Sequence, residues 1–392
     1  MIAPEPFFEP RGTPFSEFHR IRALTALGHQ VDLVTYPFGD DVAMPGLRVF
    51  RSARPPLVRR VRIGPSLAKI PLDLLLAWTA LRRALAGGYD AVHSHEEGGV
   101  IGVLLAALLR VPHLYDMHSS LPQQLTNFAF SRSRAVHGAF RAIERLMIRR
   151  SRVVIVICPT LEETVRTIDP RARTVLIENA PGSDDAPATS EQAAALRQQL
   201  GLDSSTPLIL YTGTFEAYQG LDLLFEAMAI VHASRPDARL VLAGGKPDRI
   251  AQLRSRAPAS TIFAGERPPS QIPIFLRAAD VLVSPRSRGT NTPLKIYQYL
   301  RSGKPIVATR LVTHTQVLSD DTAVLTGPTP AGFAAGILDA LADPARAAEF
   351  GRNARRLADT KYSYDAYLER TRQACAALVP PLPPAAVVKD LA

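Results

Sequence analysis

Residues 284–309 read SPRSRGTNTPLKIYQYLRSGKPIVAT. Val281, Leu282 and Val283 just upstream form a short apolar run typical of a buried strand. After a polar loop, Leu294, Tyr297, Tyr299 and Leu300 recur at helical spacing. Gly303-Lys304-Pro305 stops that helix, and Ile306-Val307-Ala308 opens another strand. A loop held between a strand end and a helix start aims backbone N–H groups and the positive end of a helix dipole at one spot, which suits an anion such as a diphosphate. Lys295 stands in the first turn of the helix, with Arg286 and Arg288 upstream. An ordinary strand-to-helix connection explains the same residues, since one glycine and three cations make a weak motif, and both readings stay open here.

The alternation extends outward. Strands are expected at 208–211, 240–243, 261–264 and 281–283, with helices at 221–234, 247–256 and 271–278 between them. An earlier series begins with Met1-Ile2-Ala3, which looks like the tail of a strand whose first half is missing. An amphipathic helix over 15–27, closed by Gly28, and a strand over 31–36 follow. Next come a helix at 67–85, a strand at 91–95, a buried helix at 100–109, and strands at 113–116, 153–157 and 175–177. Residues 182–207, rich in Ser, Asp, Ala, Gln and Pro, form the best domain boundary. Two parallel α/β sheets in tandem are the expected architecture, with ligands beyond the carboxyl ends of their strands.

Two segments are strongly basic. Residues 48–62 carry six arginines (Arg48, Arg51, Arg54, Arg59, Arg60 and Arg62) and no acid. They are expected either as a solvated loop or as a patch facing phosphates or anionic headgroups. Residues 131–152 set Phe140, Ile143, Leu146 and Met147 on one side of a helix and arginines on the other.

The 392 residues suggest about two domains, and 46% apolar with 21% charged residues is the balance of a globular protein. The net charge of +10 points to an anionic partner. Cys158 and Cys375 are the two cysteines and lack metal-ligand spacing, which argues against a disulfide framework or a zinc site and fits a reducing compartment. No secretory signal is read at the start, and no apolar run reaches the ~20 residues of a spanning helix. Arginine-rich segments without interleaved aromatic residues argue against single-strand nucleic-acid binding.

Several landmarks fall in a telling order. They are Leu24-x-x-Leu27-Gly28-His29-x-Val31, Tyr89-Asp90-Ala91-Val92-His93-Ser94-His95, Ile177-Glu178-Asn179-Ala180, Leu240-Val241-Leu242-Ala243-Gly244-Gly245, Phe263-Ala264-Gly265-Glu266 and Gly303-Lys304-Pro305-Ile306-Val307-Ala308-Thr309. Together they resemble the retaining glycosyltransferases of the GT-B fold, in the bacterial group called glycosyltransferase family four. The resemblance implies an α/β protein of two Rossmann-like, doubly wound parallel-sheet domains facing a central cleft. Residues 1–182 would be the acceptor-side domain, 183–206 a linker and 207–360 the nucleotide-sugar domain. A helix at 361–378 would pack back toward the first domain, and 379–392 would be a disordered Pro-rich tail.

The chain departs from the family pattern at the donor site. A pair of glutamates that usually holds donor sugar and ribose is replaced by Thr290 and Gln298. The element whose Arg and Lys usually clamp the diphosphate reads Gly213-Thr214-Phe215-Glu216-Ala217-Tyr218-Gln219-Gly220, without either cation. A variant of the family pattern carries a lysine early in the later helix, so the resemblance assigns the diphosphate to Lys295, helped by Thr292 and the amides around Arg288, Thr290 and Asn291. Gly213, Thr214, Gln219, Gly244, Glu266, Arg267 and Gln298 complete the expected donor site, with Gly12 and Thr13 approaching the phosphates from the first loop. His118 is the expected catalytic histidine, with Asp116 orienting it or binding acceptor and His95 on the acceptor side.

His93, His95, Glu96 and Glu97 also invite a metal reading, but sequence places no third ligand beside the two histidines, and no metal or cofactor is expected. The implied activity is transfer of a hexose-type sugar from a nucleotide diphosphate sugar, UDP being the first choice, to a hydroxyl acceptor in cell-envelope glycan or glycolipid synthesis. The acceptor is lipid-linked, a polysaccharide or a small molecule. The expected location is cytoplasmic, with peripheral contact at the inner face of an anionic plasma membrane. Because the usual Glu, Arg and Lys are missing, a catalytically silent scaffold on the same fold and a nucleotide-sugar epimerase stand as alternatives.

Overall fold

The structure, a computed structural model, describes residues 1–9, 12–56, 58, 61, 66, 69–127, 133–179 and 187–379. Expectations for Arg59, Arg60, Arg62, residues 131–132 and 183–186 and the tail from 380 onward lie outside the described residues. The chain divides into two compact units, Met1–Glu178 together with the chain from Tyr367, and Asn179–Ala366.

The first unit contains β1 (Ile2–Ala3), α1 (Gly12–Ala26), β2 (Val31–Thr35), β3 (Leu47–Arg51), α2 (Lys69–Ala86), β4 (Val92–His95), α3 (Gly99–Leu109) and β5 (His113–Met117). It continues through α4 (Leu121–Asn127), α5 (Arg134–Arg150), β6 (Val153–Val156), α6 (Pro159–Ile168) and β7 (Thr174–Leu176). Its sheet is parallel throughout, in the order β3-β2-β1-β4-β5-β6-β7. Strands β2, β5 and β6 are buried along their whole length, as parallel strands covered on both faces must be.

The second unit contains α7 (Ser190–Gln199), β8 (Leu208–Thr212), α8 (Leu221–Ser234), β9 (Arg239–Ala243), α9 (Pro247–Arg254), β10 (Thr261–Gly265), α10 (Ile272–Ala278) and β11 (Val281–Ser284). After these come α11 (Lys295–Ser302), β12 (Ile306–Thr309), α12 (Val312–Thr315), β13 (Val324–Thr326), α13 (Pro330–Ala342) and α14 (Pro344–Lys361). The sheet order is β10-β9-β8-β11-β12-β13, again all parallel. In both sheets the winding direction reverses, between β1 and β4 and between β8 and β11, and ligands of such sheets sit at that reversal.

Local chemistry sets the boundaries. Thr189 and Gln192 form a reciprocal cap on α7. Gly303, at φ 68°, ends α11 in the left-handed conformation, so the chain turns directly into β12. The last helix, α15 (Tyr364–Ala376), joins the first unit from Tyr367: the Arg20 guanidinium donates to Thr371 Oγ1 at 3.3 Å, and Arg173 donates to the Ala377 carbonyl at 3.1 Å.

Three expectations need correction. The start of the arginine-rich segment 48–62 is strand β3 and not loop. Arg48 makes a two-pronged bond to Asp32 on the neighbouring strand at 2.7 and 2.8 Å, while Arg51 donates to the carbonyls of Phe7 and Phe38 at 2.6 Å. Helix α3 is buried on one face only, because Leu104 and Leu108 are 63% and 56% exposed. On α5, Leu146 faces outward, and the buried face instead includes Glu144, Met147 and Ile148. The Glu144 carboxylate accepts bonds from the Leu121 N–H at 2.7 Å and the Ser120 hydroxyl at 3.2 Å, which makes its burial tolerable. Among the described residues no helix is long and apolar enough to cross a membrane.

Candidate functional site

In the second unit the reversal point lies between β8 and β11, and both strands run out into loops that are stitched together. The Ser287 N–H donates to the Tyr218 carbonyl at 3.0 Å, and the Arg286 guanidinium lies 5.0 Å over the Tyr218 ring. Gly220 has φ 75°, and a Cβ there would run into the Pro285 carbonyl, so only glycine lets these backbones approach. Arg286 also folds back on its own loop, donating to the carbonyls of Arg288 at 2.9 Å and Asn291 at 3.1 Å. It therefore organises the loop instead of projecting from it.

Lys295 opens α11 beside this seam and is buried. Its ammonium lies 3.6 Å over the centre of the Tyr211 ring and, among the described residues, has no hydrogen-bond acceptor. Tyr211 is held in place because its hydroxyl donates to the Thr214 carbonyl at 2.7 Å. Gly213, at the end of β8, leaves the space next to the ammonium open: a Cβ there would lie 3.4 Å from Lys295 Nζ. Burial, reinforced by the nearby Arg286 charge, pushes the Lys295 ammonium well below the ordinary lysine range. A buried ammonium that meets an aromatic face and, among the described residues, no hydrogen-bond acceptor is costly to keep charged, and an anion beside it would lower that cost.

Helix α11 is fixed to the strand ends by Tyr299, whose hydroxyl accepts the Thr212 N–H at 2.9 Å. Beneath the loop, His314 bridges β11 and β12. Its Nδ1 bonds the Thr309 carbonyl at 2.8 Å and its Nε2 the Ser284 hydroxyl at 2.9 Å, and burial pushes it down to about 4, so it is a neutral prop. The Thr309 hydroxyl in turn donates to the Arg286 carbonyl at 2.6 Å.

The other expected donor residues distribute around this seam. Thr292 and Gln219 are buried, and Thr292 Oγ1 and Gln219 Oε1 have no partner among the described residues. The Thr290 carbonyl accepts from Gln316 Nε2 at 2.6 Å, and Gln298 is half-buried on α11. The Gly244 N–H donates to the Gly265 carbonyl at 2.8 Å, placing it at the β9–β10 edge. Thr214, Glu266, Arg267 and Arg288 are exposed.

The first unit gathers its expected residues differently. Asp116, at the end of β5, is fully buried and takes the Arg20 Nε at 2.8 Å. Its other oxygen lies 3.2 Å from His118 Nε2, which is itself 3.2 Å from His95 Nδ1. Burial raises an isolated carboxyl, but Arg20 and His118 outweigh it and hold Asp116 well below the usual carboxylate range. Burial likewise opposes charge on His118, yet Asp116 wins and raises it, whereas burial holds the His95 ring well below the ordinary histidine value. Around this group Glu5 and Glu17 are pushed up by burial, Glu5 to about 7, and Glu96 to about 8. Gly12 and Thr13 form the first turn of α1, Gly12 with φ 57°.

The metal reading changes in one respect: the fold does supply a third donor. His93, His95 and Asp116 have ligand atoms within 4.8 Å of one another. Glu96 instead accepts from Ser119 and Gln124, and Glu97 pairs with Lys69. The two imidazoles are stacked at 4.7 Å with planes 20° apart, and Arg20 already supplies the positive charge on Asp116, so the set is a poor metal cage. Arg20, Tyr211 and His314 carry no site signal in the sequence, and Tyr299 marks only the helical period. Arg20 and His314 are buried polar residues on helices, without a spacing signal that marks them.

The sequence matches two family models, "Glycosyl transferase 4-like domain" over residues 19–180 and "Glycosyl transferases group 1" over residues 192–357. Among curated proteins, the D-inositol 3-phosphate glycosyltransferase of Streptomyces avermitilis is 28% identical over 77% of this chain and 70% of its own length. That of Acidothermus cellulolyticus is 27% identical over 76% and 71%. Among solved structures, sucrose-phosphate synthase from Thermosynechococcus elongatus superposes with a TM-score of 0.77 at 21% identity over 96% of this chain and 98% of that one. Anabaena HepE in complex with UDP-glucose gives 0.74 at 18% over 96% and 99%. The parallel sheets, their reversal points and both family matches agree: this chain belongs to the glycosyltransferases of the GT-B fold, of the family-four type, and is an enzyme that transfers sugar.

Proposed function

We propose that the enzyme is a retaining transferase that moves a hexose-type sugar from a nucleotide diphosphate sugar, with UDP the favoured nucleotide, to a hydroxyl acceptor. The observation that carries this is the buried Lys295 ammonium at the reversal point of the second sheet, which among the described residues has no hydrogen-bond acceptor. A diphosphate there satisfies the ammonium, and Thr292 and the neighbouring loop amides complete its hydrogen bonds. As the sugar–phosphate bond breaks, the leaving phosphate gains charge, and a preplaced cation stabilises that state more than the ground state. In the retaining course the acceptor hydroxyl attacks from the leaving-group side and gives its proton to the departing phosphate. His118, whose protonated form Asp116 favours, keeps its catalytic assignment, and Gln298 takes a ribose hydroxyl through its amide. No metal is assigned, because Lys295 supplies the charge.

UDP is favoured because the HepE structure similar to this one is a UDP-glucose complex. The acceptor belongs to cell-envelope glycan or glycolipid synthesis, met in the cytoplasm at the inner face of the plasma membrane. The test is turnover against a panel of UDP, GDP and ADP sugars, with product anomer assigned by NMR. Lys295→Ala is expected to lower turnover about 10²–10³-fold. A Lys295→Ala enzyme with intact turnover removes the reading. The absence of acids at Thr290 and Gln298 favours one second reading, a silent scaffold, which predicts binding without slow donor hydrolysis. Conversion of donor sugar without any acceptor identifies the epimerase instead.

A further inference from the structure

In the first unit α2 packs beside α3, and α3 beside α5. The outward sides of α2 and α3 are apolar where a water-facing surface is ordinarily polar. On α2, Ile70, Leu74 and Trp78 recur every fourth residue, with Leu85 seven further on, and are 55%, 68%, 59% and 68% exposed. That spacing puts them on one helix face. On the neighbouring α3, Leu104 and Leu108 are likewise exposed. Patches of this extent on a helical layer mark interaction sites.

The exposed charges on these three helices are of one sign. Arg141, Arg145, Arg149 and Arg150 are exposed on α5, as are Arg82 on α2 and Arg110 after α3. The acids of these three helices are Asp73 and Glu144, and both turn inward, Asp73 to the Tyr36 hydroxyl and Glu144 to Ser120 and the Leu121 N–H. A two-fold contact with a second copy would set this surface against itself, arginines near arginines with no acid to answer them. An anionic bilayer answers both features, taking the leucines and the tryptophan at the headgroup boundary and the arginines at the phosphates.

We infer that the α2–α3–α5 layer is a membrane-docking surface, in which Leu74, Trp78, Leu104 and Leu108 enter the interface of an anionic lipid leaflet while the α5 arginines bind its headgroups. This places the contact on different residues from the basic segment 48–62, where Arg48 and Arg51 are already engaged within the fold. The inference draws on the lipid-linked acceptor reading for its purpose but not for its observations.

Trp78 is the single tryptophan of the chain, so its fluorescence reports on the strip alone. The full-length protein is titrated with vesicles of phosphatidylcholine and with vesicles containing 30% phosphatidylglycerol, with and without brominated acyl chains. The expected result is a blue shift and bromine quenching on the anionic vesicles, reduced at high salt. Arg145→Gln with Arg149→Gln is expected to lower partitioning about 30-fold. Leu74→Ser with Leu104→Ser is expected to lower it about tenfold or more, with the thermal midpoint of both variants unchanged because all four positions are exposed. Emission unmoved by any vesicle, equal binding to pure phosphatidylcholine, or a shift that follows protein concentration without lipid overturns the inference, the last by pointing to a second copy. Nucleotide-sugar hydrolysis measured in parallel without vesicles bears on the transferase reading alone.

Discussion

Each unit buries a cation at the reversal point of its sheet or close to it, and the two are treated in opposite ways. Arg20 in the first unit is answered in full, by Asp116, Thr371 and the face of Tyr367 at 5.0 Å. Lys295 in the second is left with an aromatic ring. A satisfied buried charge holds its surroundings together, and removing either partner strands the other. An unsatisfied one costs stability, a cost that a bound anion would offset. The contrast separates a cation that its own fold satisfies from one left, among the described residues, without a hydrogen-bond acceptor.

The sharpest way to break the comparison is to strand Asp116. Arg20→Met is expected to destabilise the protein by about 3–5 kcal/mol in chemical denaturation. Adding Asp116→Leu is expected to recover more than half of that, since a buried pair replaced by apolar groups loses little. If the single variant is as stable as the parent, the first unit does not depend on its ion pair. Next in size is ligand rescue. A nucleoside diphosphate at 100-fold its dissociation constant is expected to stabilise the protein by about 2.7 kcal/mol in a thermal-shift titration. Lys295→Met is expected to abolish that gain, and a persisting gain would place the diphosphate away from Lys295. Without ligand, the same Lys295→Met variant is expected to melt at or above the parent, because it deletes a buried charge that no hydrogen-bond acceptor among the described residues answers. A lower midpoint would show that the ammonium is structural.

The smallest effect is in pH, and its sign differs between the units. His118 is raised on folding, so its contribution is complete below about 6.5, the unfolded value, and is lost as pH rises through the folded one. Lys295 is lowered, so between its folded value and about 10.4 the unfolded chain binds more protons and stability rises with pH. Denaturation followed from pH 6.5 upward should therefore flatten on one side in Asp116→Asn and on the other in Lys295→Met. Identical slopes in all three proteins would contradict both assignments.

Much of this was legible in residue order. Strands such as 281–283 and the helix after Leu294 announce themselves by apolar period, and Gly303 with Pro305 marks the stop within a residue. Lys295 could be singled out because its importance is local, a cation in the first turn after a glycine-containing loop. Arg20 could not, because its partners lie 96 and 351 positions away and no local pattern encodes them. His314 was hidden for the same reason, being defined by Ser284 across the sheet. The arginines of β3 misled because charge was read as solvent exposure, whereas Asp32 on the next strand and two backbone carbonyls absorb Arg48 and Arg51. The exposed leucines of α3 misled in the reverse sense, apolar character being taken as burial.

The bond between Arg20 and Thr371 also sets an order of assembly. The second unit is one continuous run of chain and has everything it needs once it has left the ribosome, whereas the first is made first and finished last. At about 5–20 residues per second, the 351 positions separating those two side chains amount to roughly 20–70 s of synthesis. Throughout that interval the nascent domain carries a guanidinium still short of its hydroxyl acceptor and an open seat for the terminal helix. A ribosome that stops before Thr371 therefore releases a complete second unit joined to a first unit that lacks the Arg20–Thr371 bond.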